Sequence, residues 1–235
     1  MHTYSELLKK RKAIKGMGYI KTHRAGNTGI GKTLEDLLGI TENNLPGPNA
    51  AMIELKSARK NVSSMLTLFT KSPLPPKANS TLLEKFGYAS SKKKGTKRLE
   101  TTVNAVGYNQ LKGKLGFKID IQKDRLNLID INGEILAYWN KEILKQSFER
   151  KLPKLLYVKA DTRGKGSDEE FWFNEAWLLS GFNFENFTRL LKEKIIFVDI
   201  QIGQYPDGRT HDHGTGFRIF PDKLDLCFSH REKII

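Results

Sequence analysis

The sequence is poor in cysteine, has fewer acidic than basic side chains, and has no long apolar run. Its 235 residues include one cysteine, Cys227, which excludes an intramolecular disulfide and any zinc site built from several cysteines. No segment approaches the roughly 18–20 apolar residues that a membrane-spanning helix needs. The basic N-terminal stretch is not followed by the apolar core of a secretory signal. We therefore expect a cytoplasmic protein with no membrane partner.

Basic side chains outnumber acidic ones by a wide margin, which gives the chain a strongly basic balance. There are 40 Lys and Arg against 26 Asp and Glu, a formal net charge of +14. This sign favours a polyanion as partner, because neutralising phosphates releases their counterions. The excess is concentrated in places such as SSKKKGTKR (90–98), which has no apolar anchor and predicts a loop that could follow a nucleic-acid backbone. The alternative is an ordinary solvated basic surface.

A glycine-rich string near the N-terminus has the pattern of a nucleotide-binding phosphate loop. Residues 26–33, GNTGIGKT, fit G-x-x-x-x-G-K-[ST]. Such a loop needs a buried strand before it and a long helix after it. Here the preceding segment has few apolar residues, and the helix predicted to follow, capped by Thr33, ends at Gly39. We therefore interpret the string as a coincidence, with an NTPase that uses Lys32 as a minor alternative.

The remaining patterns predict a chain of the α/β (α+β) class. Segments with period-two alternation dominate the middle third and indicate antiparallel strands, two of which flank the hairpin signal Asn132-Gly133. Helical patterns lie near both ends and between the strands. The predicted strands are AAMIELKS, SSMLTLFTK, LETTVNAVGY, KLGFKIDIQ, DRLNLIDI, EILAYWN, KLLYVKADT, KIIFVDIQIGQY and GFRIFP.

One strand carries a pair of residues with catalytic potential. Glu54 and Lys56 form E-x-K within AAMIELKS, and residues two apart on a strand share a face. A carboxylate can help to hold Mg²⁺, and a neighbouring ammonium can steady a water nucleophile or the charge that develops on a phosphate. Taken alone, the pair is more often a solvated ion pair.

Six blocks of the sequence resemble, in order, recurrent blocks of the MvaI/BcnI family of type II restriction endonucleases. They extend from about residue 25 to residue 220, and such an ordered set is far more specific than any single block. The blocks are GNTGIGKTLEDLLGI, ELKSAR, TLFTKSP, LLYVKADTR, FWFNEAWLLSGF and GRTHDHGTGFRI. The resemblance implies a PD-(D/E)xK core, a mixed sheet flanked by helices, with two lobes forming a DNA cleft. The catalytic lobe is expected at approximately residues 1–90 plus parts of the middle, and the recognition lobe at approximately 91–235.

The resemblance also implies an activity. Members of the family hydrolyse phosphodiester bonds of double-stranded DNA at short CC-x-GG-type sites, use Mg²⁺ and bind DNA as monomers, and they are related to the nicking endonuclease of mismatch repair. A cognate DNA methyltransferase would be a genetic but not a physical partner. We therefore predict a type II site-specific deoxyribonuclease.

By motif position, the resemblance assigns the catalytic set Glu35, Asn49, Glu54 and Lys56, with Asn49 and Glu54 as metal ligands. The family pattern expects aspartate where this chain has Asn49. Three explanations stay open: a deliberate Asp-to-Asn change, which is favoured because the other blocks are intact, a naturally weakened enzyme, or a different alignment of the turn. A catalytically inactive DNA-binding protein on a nuclease scaffold is the alternative function.

Candidate DNA contacts are concentrated in DGRTHDHGTGFR. Arginine matches the acceptors of guanine in the major groove, and histidine can donate to a base edge. Two histidines two residues apart could instead bind zinc, but no third cluster of ligands is present, and a plain polar loop is the other alternative. The predicted DNA-binding residues are Arg59, Lys71, Lys92, Lys93, Lys94, Arg209, His211, His213 and Arg218.

Overall fold

The computed structural model describes residues 4–40, 53–61, 63–91, 93–152, 154–212 and 215–235. Within these residues the α-helices are α1 Tyr4–Gly16, α2 Gly29–Leu38, α3 Ala78–Phe86, α4 Lys141–Lys151 and α5 Phe184–Lys192, with short 3-10 helices at Gly166–Asp168 and Pro221–Leu226. The strands are β1 Ile20–Lys21, β2 Glu54–Arg59, β3 Leu66–Thr70, β4 Tyr88–Ala89, β5 Lys97–Val103, β6 Gln110–Leu111, β7 Lys114–Leu115, β8 Lys118–Ile121, β9 Arg125–Ile129, β10 Ile135–Asn140, β11 Lys154–Arg163, β12 Glu170–Ser180, β13 Ile196–Gln204, β14 Thr210–Asp212, β15 Gly216–Ile219 and β16 His230–Lys233. None of the described helices has both the length and the apolar character needed to cross a membrane.

The chain divides into two compact units, each assembled from separate stretches of sequence. The first unit comprises Met1–Ser64, Glu149–Asn183 and Asp225–Ile235, and the second comprises Met65–Phe148 and Phe184–Leu224. The assignment of a catalytic and a recognition lobe stays a prediction.

The first unit is built on a mixed sheet with the order β1-β12-β11-β2, and β16 also pairs with β12. Strand β2 runs parallel to β11, with Glu54 opposite Leu155, whereas β12 is antiparallel to β11. One face of the sheet packs against the apolar residues of α1 and α2, including Leu34 and Leu38, and Leu55 of β2 points into this core. Because side chains alternate along a strand, Glu54 and Lys56 lie on the other face.

The second unit is antiparallel throughout, in agreement with the predicted strands of the middle third. Its largest sheet has the order β3-β15-β13-β5-β4, with β14 added to β13, and a second sheet has the order β10-β9-β8. Phe69 lies at the centre of its aromatic core, with its ring centroid 4.7 Å from that of Phe217 and 5.4 Å from that of Phe187. The side chains of these three residues are fully buried, so aromatic packing contributes to the core of this unit beside its buried aliphatic residues.

The predicted hairpin is confirmed, although its loop is longer than the two residues expected. Strands β9 and β10 pair antiparallel, with Ile129 opposite Ile135, and Gly133 has a φ of 81°. The carboxylate of Asp130 accepts hydrogen bonds from the backbone N–H groups of Asn132 and Glu134. Asp130 therefore organises the longer turn, because its side chain satisfies two backbone donors that no strand partner reaches.

Helix α2 begins earlier than predicted. It starts at Gly29, so the expectation that Thr33 caps it is wrong. Thr33 is buried inside the helix, where its hydroxyl donates to the carbonyl of Gly29 and accepts from the backbone N–H of His23. The predicted exit is confirmed, because Gly39 has a φ of 69°, in the left-handed region that favours glycine.

Two glycines of the same helix should respond in opposite ways to alanine. A Cβ at Gly29 would lie 2.1 Å from the carbonyl oxygen of Arg24 and 2.7 Å from Oγ1 of Thr22, whereas a Cβ at Gly31 would meet only Oγ of Ser57 at 3.9 Å. We expect Gly29→Ala to lower the free energy of unfolding by about 1–3 kcal/mol through overpacking. Gly31→Ala should raise it by up to about 1 kcal/mol through helix propensity. Urea unfolding midpoints measure both changes, and equal midpoints for the two variants would contradict the geometry.

Candidate active site

The predicted carboxylate–lysine pair is formed in the structure. The side chain of Glu54 is 2% exposed, and its Oε1 lies 3.0 Å from Nζ of Lys56. The second oxygen, Oε2, is buried and has no hydrogen-bond partner in the part of the chain that the structure describes. A buried carboxylate oxygen normally finds a donor or a cation. The unshared Oε2 therefore suits a metal ligand.

A second ammonium group, which the sequence did not point to, lies beside the same carboxylate. Nζ of Lys151, at the C-terminal end of α4, is 3.9 Å from Oε1 of Glu54. Nothing in the spacing of the chain links the two residues, because they meet only through the parallel pairing of β2 with β11, which follows α4. Lys56 and Lys151 together offset the charge of Glu54, and both are candidates to face a phosphate.

The helix-borne acidic residue, Glu35, lies on a cavity of about 320 Å³ that Lys56 also lines. Arg24 and Asn27, from the segment before α2, and Lys32 of α2 complete this wall. Glu54 is joined to the cavity through its contact with Lys56. The structure thus places Glu35 and Lys56 on one cavity, with Glu54 in contact with Lys56, and the E-x-K spacing alone could not establish the position of Glu35.

The glycine-rich string does not form a phosphate loop. Lys32 lies within α2, where its Nζ is 2.6 Å from Oδ1 of Asp36 and its backbone N–H donates to the carbonyl of Thr28. Hydrogen bonds from Lys32 and His23 lower the pKa of Asp36. A phosphate loop needs a lysine and backbone N–H groups that are free to bind phosphates, and the strand that precedes this helix, β1, has only two residues. The string instead delivers Glu35 to the cavity.

The donor chemistry fits a hard divalent cation. The carboxylate oxygens of Glu54 and Glu35 are the type of ligand that Mg²⁺ prefers. No cluster of three or more His, Cys, Asp or Glu side chains with metal-binding geometry occurs among the described residues. Asn49, the other predicted ligand, lies outside them.

Two of the predicted DNA contacts are engaged within the protein. The guanidinium of Arg59 forms two hydrogen bonds of 2.6 Å with the carboxylate of Glu169. The guanidinium of Arg218 donates to Oδ2 of the buried Asp199 at 2.6 Å and to the carbonyl of Met65 at 2.7 Å. Both arginines therefore hold parts of their own unit together.

Other predicted contacts lie on the surface of the second unit. Lys93 and Lys94 are exposed, and the side chain of Arg209 is 78% exposed beside Asp207. Lys93 and His211 line one cavity of about 330 Å³. Lys71 lines another of about 460 Å³, together with Trp139 and Asn140. The remaining predicted contacts, Lys92 and His213, lie outside the described residues.

A mixed sheet with an E-x-K strand, whose lysine shares a cavity with an acidic residue of a neighbouring helix, is the arrangement of the PD-(D/E)xK class of nucleases. Residues 8–228 match the sequence profile of the MvaI/BcnI restriction endonuclease family, and the chain belongs to this family. It is accordingly a type II site-specific deoxyribonuclease, and the resemblance seen in the sequence blocks is confirmed.

Two solved structures of a restriction endonuclease support the assignment. The chain is 32% identical to MvaI in a complex with its cognate DNA substrate, with 100% of both chains covered and a TM-score of 0.86. For MvaI in the absence of DNA, the identity is 32%, the coverage is 100% of this chain and 99% of that one, and the TM-score is 0.57. A search of curated proteins gave no match.

Proposed function

We propose that this chain hydrolyses double-stranded DNA in a Mg²⁺-dependent reaction at a short CC-x-GG-type site. The observation that carries the proposal is that Glu35 and Lys56 line one cavity and that Glu54 contacts Lys56 beside it. Such a set is suited to phosphodiester hydrolysis, in which water attacks phosphorus and negative charge builds up on the phosphate oxygens. The type of site follows from the family resemblance, and the similarity to MvaI bound to its cognate DNA supports DNA as the substrate.

The roles of the side chains follow from their contacts. Glu54 orients the ammonium of Lys56 through their 3.0 Å contact, so that Lys56 can donate to the attacking water or to the charged phosphate. Lys151 adds a second positive charge near the same carboxylate. Glu54, Glu35 and the residue at position 49 would hold Mg²⁺, which when bound polarises the phosphate and lowers the pKa of a water ligand.

DNA binding is proposed for the exposed basic face of the second unit. Lys93, Lys94 and Arg209 are open to solvent, and His211 lies on a cavity with Lys93. Lysines would contact phosphates and so fix the register of the duplex, whereas Arg209 and His211 are suited to base edges. The net charge of +14 supports this assignment. A monomer in the cytoplasm, with a methyltransferase as its genetic partner, completes the proposal.

Digestion of a plasmid of known sequence with Mg²⁺, followed by mapping of the fragment ends, tests the proposal. We expect discrete fragments whose ends fall at one short CC-x-GG-type sequence, and no fragments when EDTA is present. Both the unmodified chain and Asn49→Asp should be used, because Asn49 weakens the expected metal site. Specific binding without cleavage by either protein would favour the inactive scaffold. Ends at random positions would exclude a restriction enzyme.

A further inference from the structure

The guanidinium of Arg59 joins three parts of the first unit. Its Nε and Nη2 donate to the two carboxylate oxygens of Glu169, each at 2.6 Å. Nη2 also donates to the carbonyl of Gly26 at 3.1 Å, and Nη1 to the carbonyl of Asn27 at 3.4 Å. The guanidinium lies over the ring of Phe171, 5.2 Å from its centroid. Arg59 thus connects β2, the start of β12 and the segment that leads into α2.

Glu169 also contacts the segment before α2 directly, through its backbone. Its backbone carbonyl accepts a hydrogen bond of 2.8 Å from the backbone N–H of Thr22. The side chains of Arg59 and Glu169 are only 16% and 13% exposed. Paired charges with this little exposure are screened less by solvent and salt than surface pairs. Loss of either partner would leave the other poorly solvated, so the contact has a strong preference for its present geometry.

We infer that Arg59 and Glu169 are a positioning pair that fixes the start of α2, and through it Glu35, relative to the catalytic strand. The inference rests on the proposed function, because it assigns the pair a role in building that site. It differs from the sequence-based prediction that Arg59 contacts DNA.

The dimensions of the two elements support this role. Glu35 follows Gly29, the first residue of α2, by six positions, which is about 9 Å along a helix axis. Arg59 follows Lys56 by three positions on β2, which is about 10 Å along a strand. From the start of α2 and from Arg59, the helix and the strand therefore cover similar lengths, and Glu35 and Lys56 line the same cavity. One strand carries both the catalytic pair and the attachment of the helix that supplies the third residue.

The experiment compares Arg59→Met, Glu169→Gln and Lys21→Met, each alone and with Asn49→Asp. Lys21 is the matched control, since it forms an exposed ion pair of 3.1 Å with the neighbouring Asp168. The rate of a single turnover at saturating enzyme and Mg²⁺ reports the chemistry. The Kd for a cognate duplex in Ca²⁺ reports DNA binding, and amide hydrogen exchange over residues 26–38 reports the attachment of α2.

We expect Arg59→Met and Glu169→Gln to slow cleavage roughly 10- to 100-fold, because a misplacement of about 1 Å has effects of this size. Hydrogen exchange over residues 26–38 should accelerate, the Kd should change less than about twofold, and Lys21→Met should change none of the three. If Arg59→Met does not fold, Arg59→Lys replaces it. This variant keeps the positive charge but loses the bidentate hydrogen bonds to Glu169, and we expect a smaller decrease in the cleavage rate.

A different distribution of effects would overturn the inference. If Arg59→Met raised the Kd tenfold or more at an unchanged cleavage rate, Arg59 would contact DNA directly. Unchanged hydrogen exchange over residues 26–38 would show that the pair does not hold α2. Failure of the proposed function looks different: neither the unmodified chain nor Asn49→Asp would cleave DNA, whereas hydrogen exchange would still report the effect of Arg59 and Glu169 on α2.

Discussion

Glu54→Gln should abolish DNA cleavage, with a loss of at least about 1000-fold in the single-turnover rate, or roughly 4 kcal/mol of transition-state stabilisation. The substitution preserves the shape of the side chain but removes the charge of a buried carboxylate. One of its oxygens, Oε2, has no hydrogen-bond partner among the described residues and is the candidate metal ligand. The ammonium groups of Lys56 and Lys151, at 3.0 Å and 3.9 Å from Oε1, would also lose their counter-charge.

The loss should be confined to chemistry. The affinity of Glu54→Gln for a cognate duplex, measured in Ca²⁺, should stay within about threefold of the unmodified chain, because removing an anion does not weaken phosphate contacts. Glu193→Gln is the matched control, since this carboxylate lies just after α5, is 47% exposed and forms an ion pair with Arg189 of that helix. Retention of a tenth or more of the cleavage rate by Glu54→Gln would remove Glu54 from the mechanism.

Asn49→Asp should act in the opposite direction and raise the cleavage rate roughly 100-fold, or about 3 kcal/mol. The amide of asparagine offers one neutral oxygen, whereas the carboxylate of aspartate adds a full negative charge next to a hard divalent cation. The gain should appear in the rate at saturating Mg²⁺ and also in the Mg²⁺ concentration at which the rate is half-maximal. Both are measured by single-turnover cleavage of a labelled duplex.

The control for this substitution is Asn61→Asp, at an exposed position after β2, which introduces the same charge away from the cavity. It should leave the cleavage rate unchanged. Equal rates for Asn49→Asp and the unmodified chain at saturating Mg²⁺ would refute the assignment of position 49. Specific DNA binding with no cleavage by either protein would identify an inactive scaffold.

Local patterns of the sequence predicted a large part of the fold and the contact between Glu54 and Lys56. The spacing of Glu54 and Lys56 on a strand was enough to place both side chains on one face, because alternation along a strand is a property of the backbone itself. The hairpin around Asn132-Gly133 and the glycine exit of α2 were predicted for a similar reason, since these backbone conformations depend on only a few neighbouring residues. The start of α2 was missed, because Thr33 bonds to Gly29 inside the helix instead of capping it.

The roles of several charged residues, in contrast, depend on contacts distant in sequence. Lys151 reaches Glu54 only because β11 pairs with β2, and Arg218 is held by Asp199 across two antiparallel strands. Arg59 is a basic residue close in sequence to Glu54 and Lys56, which suggested a DNA contact, yet its guanidinium is bound to Glu169. No spacing rule predicts such partners.

The sequence by itself determined the family, the strand that carries Glu54 and Lys56, and the basic character that suits DNA. Each of these follows from residue order or composition, which are fixed before the chain has folded. Only the tertiary structure decided that Lys151 lies beside Glu54, that Arg59 is bound within the protein by Glu169, and that Glu35 shares a cavity with Lys56. The physical reason is that charge–charge contacts act over a few ångströms of space, and the packing of α2 and β11 against β2 sets those distances.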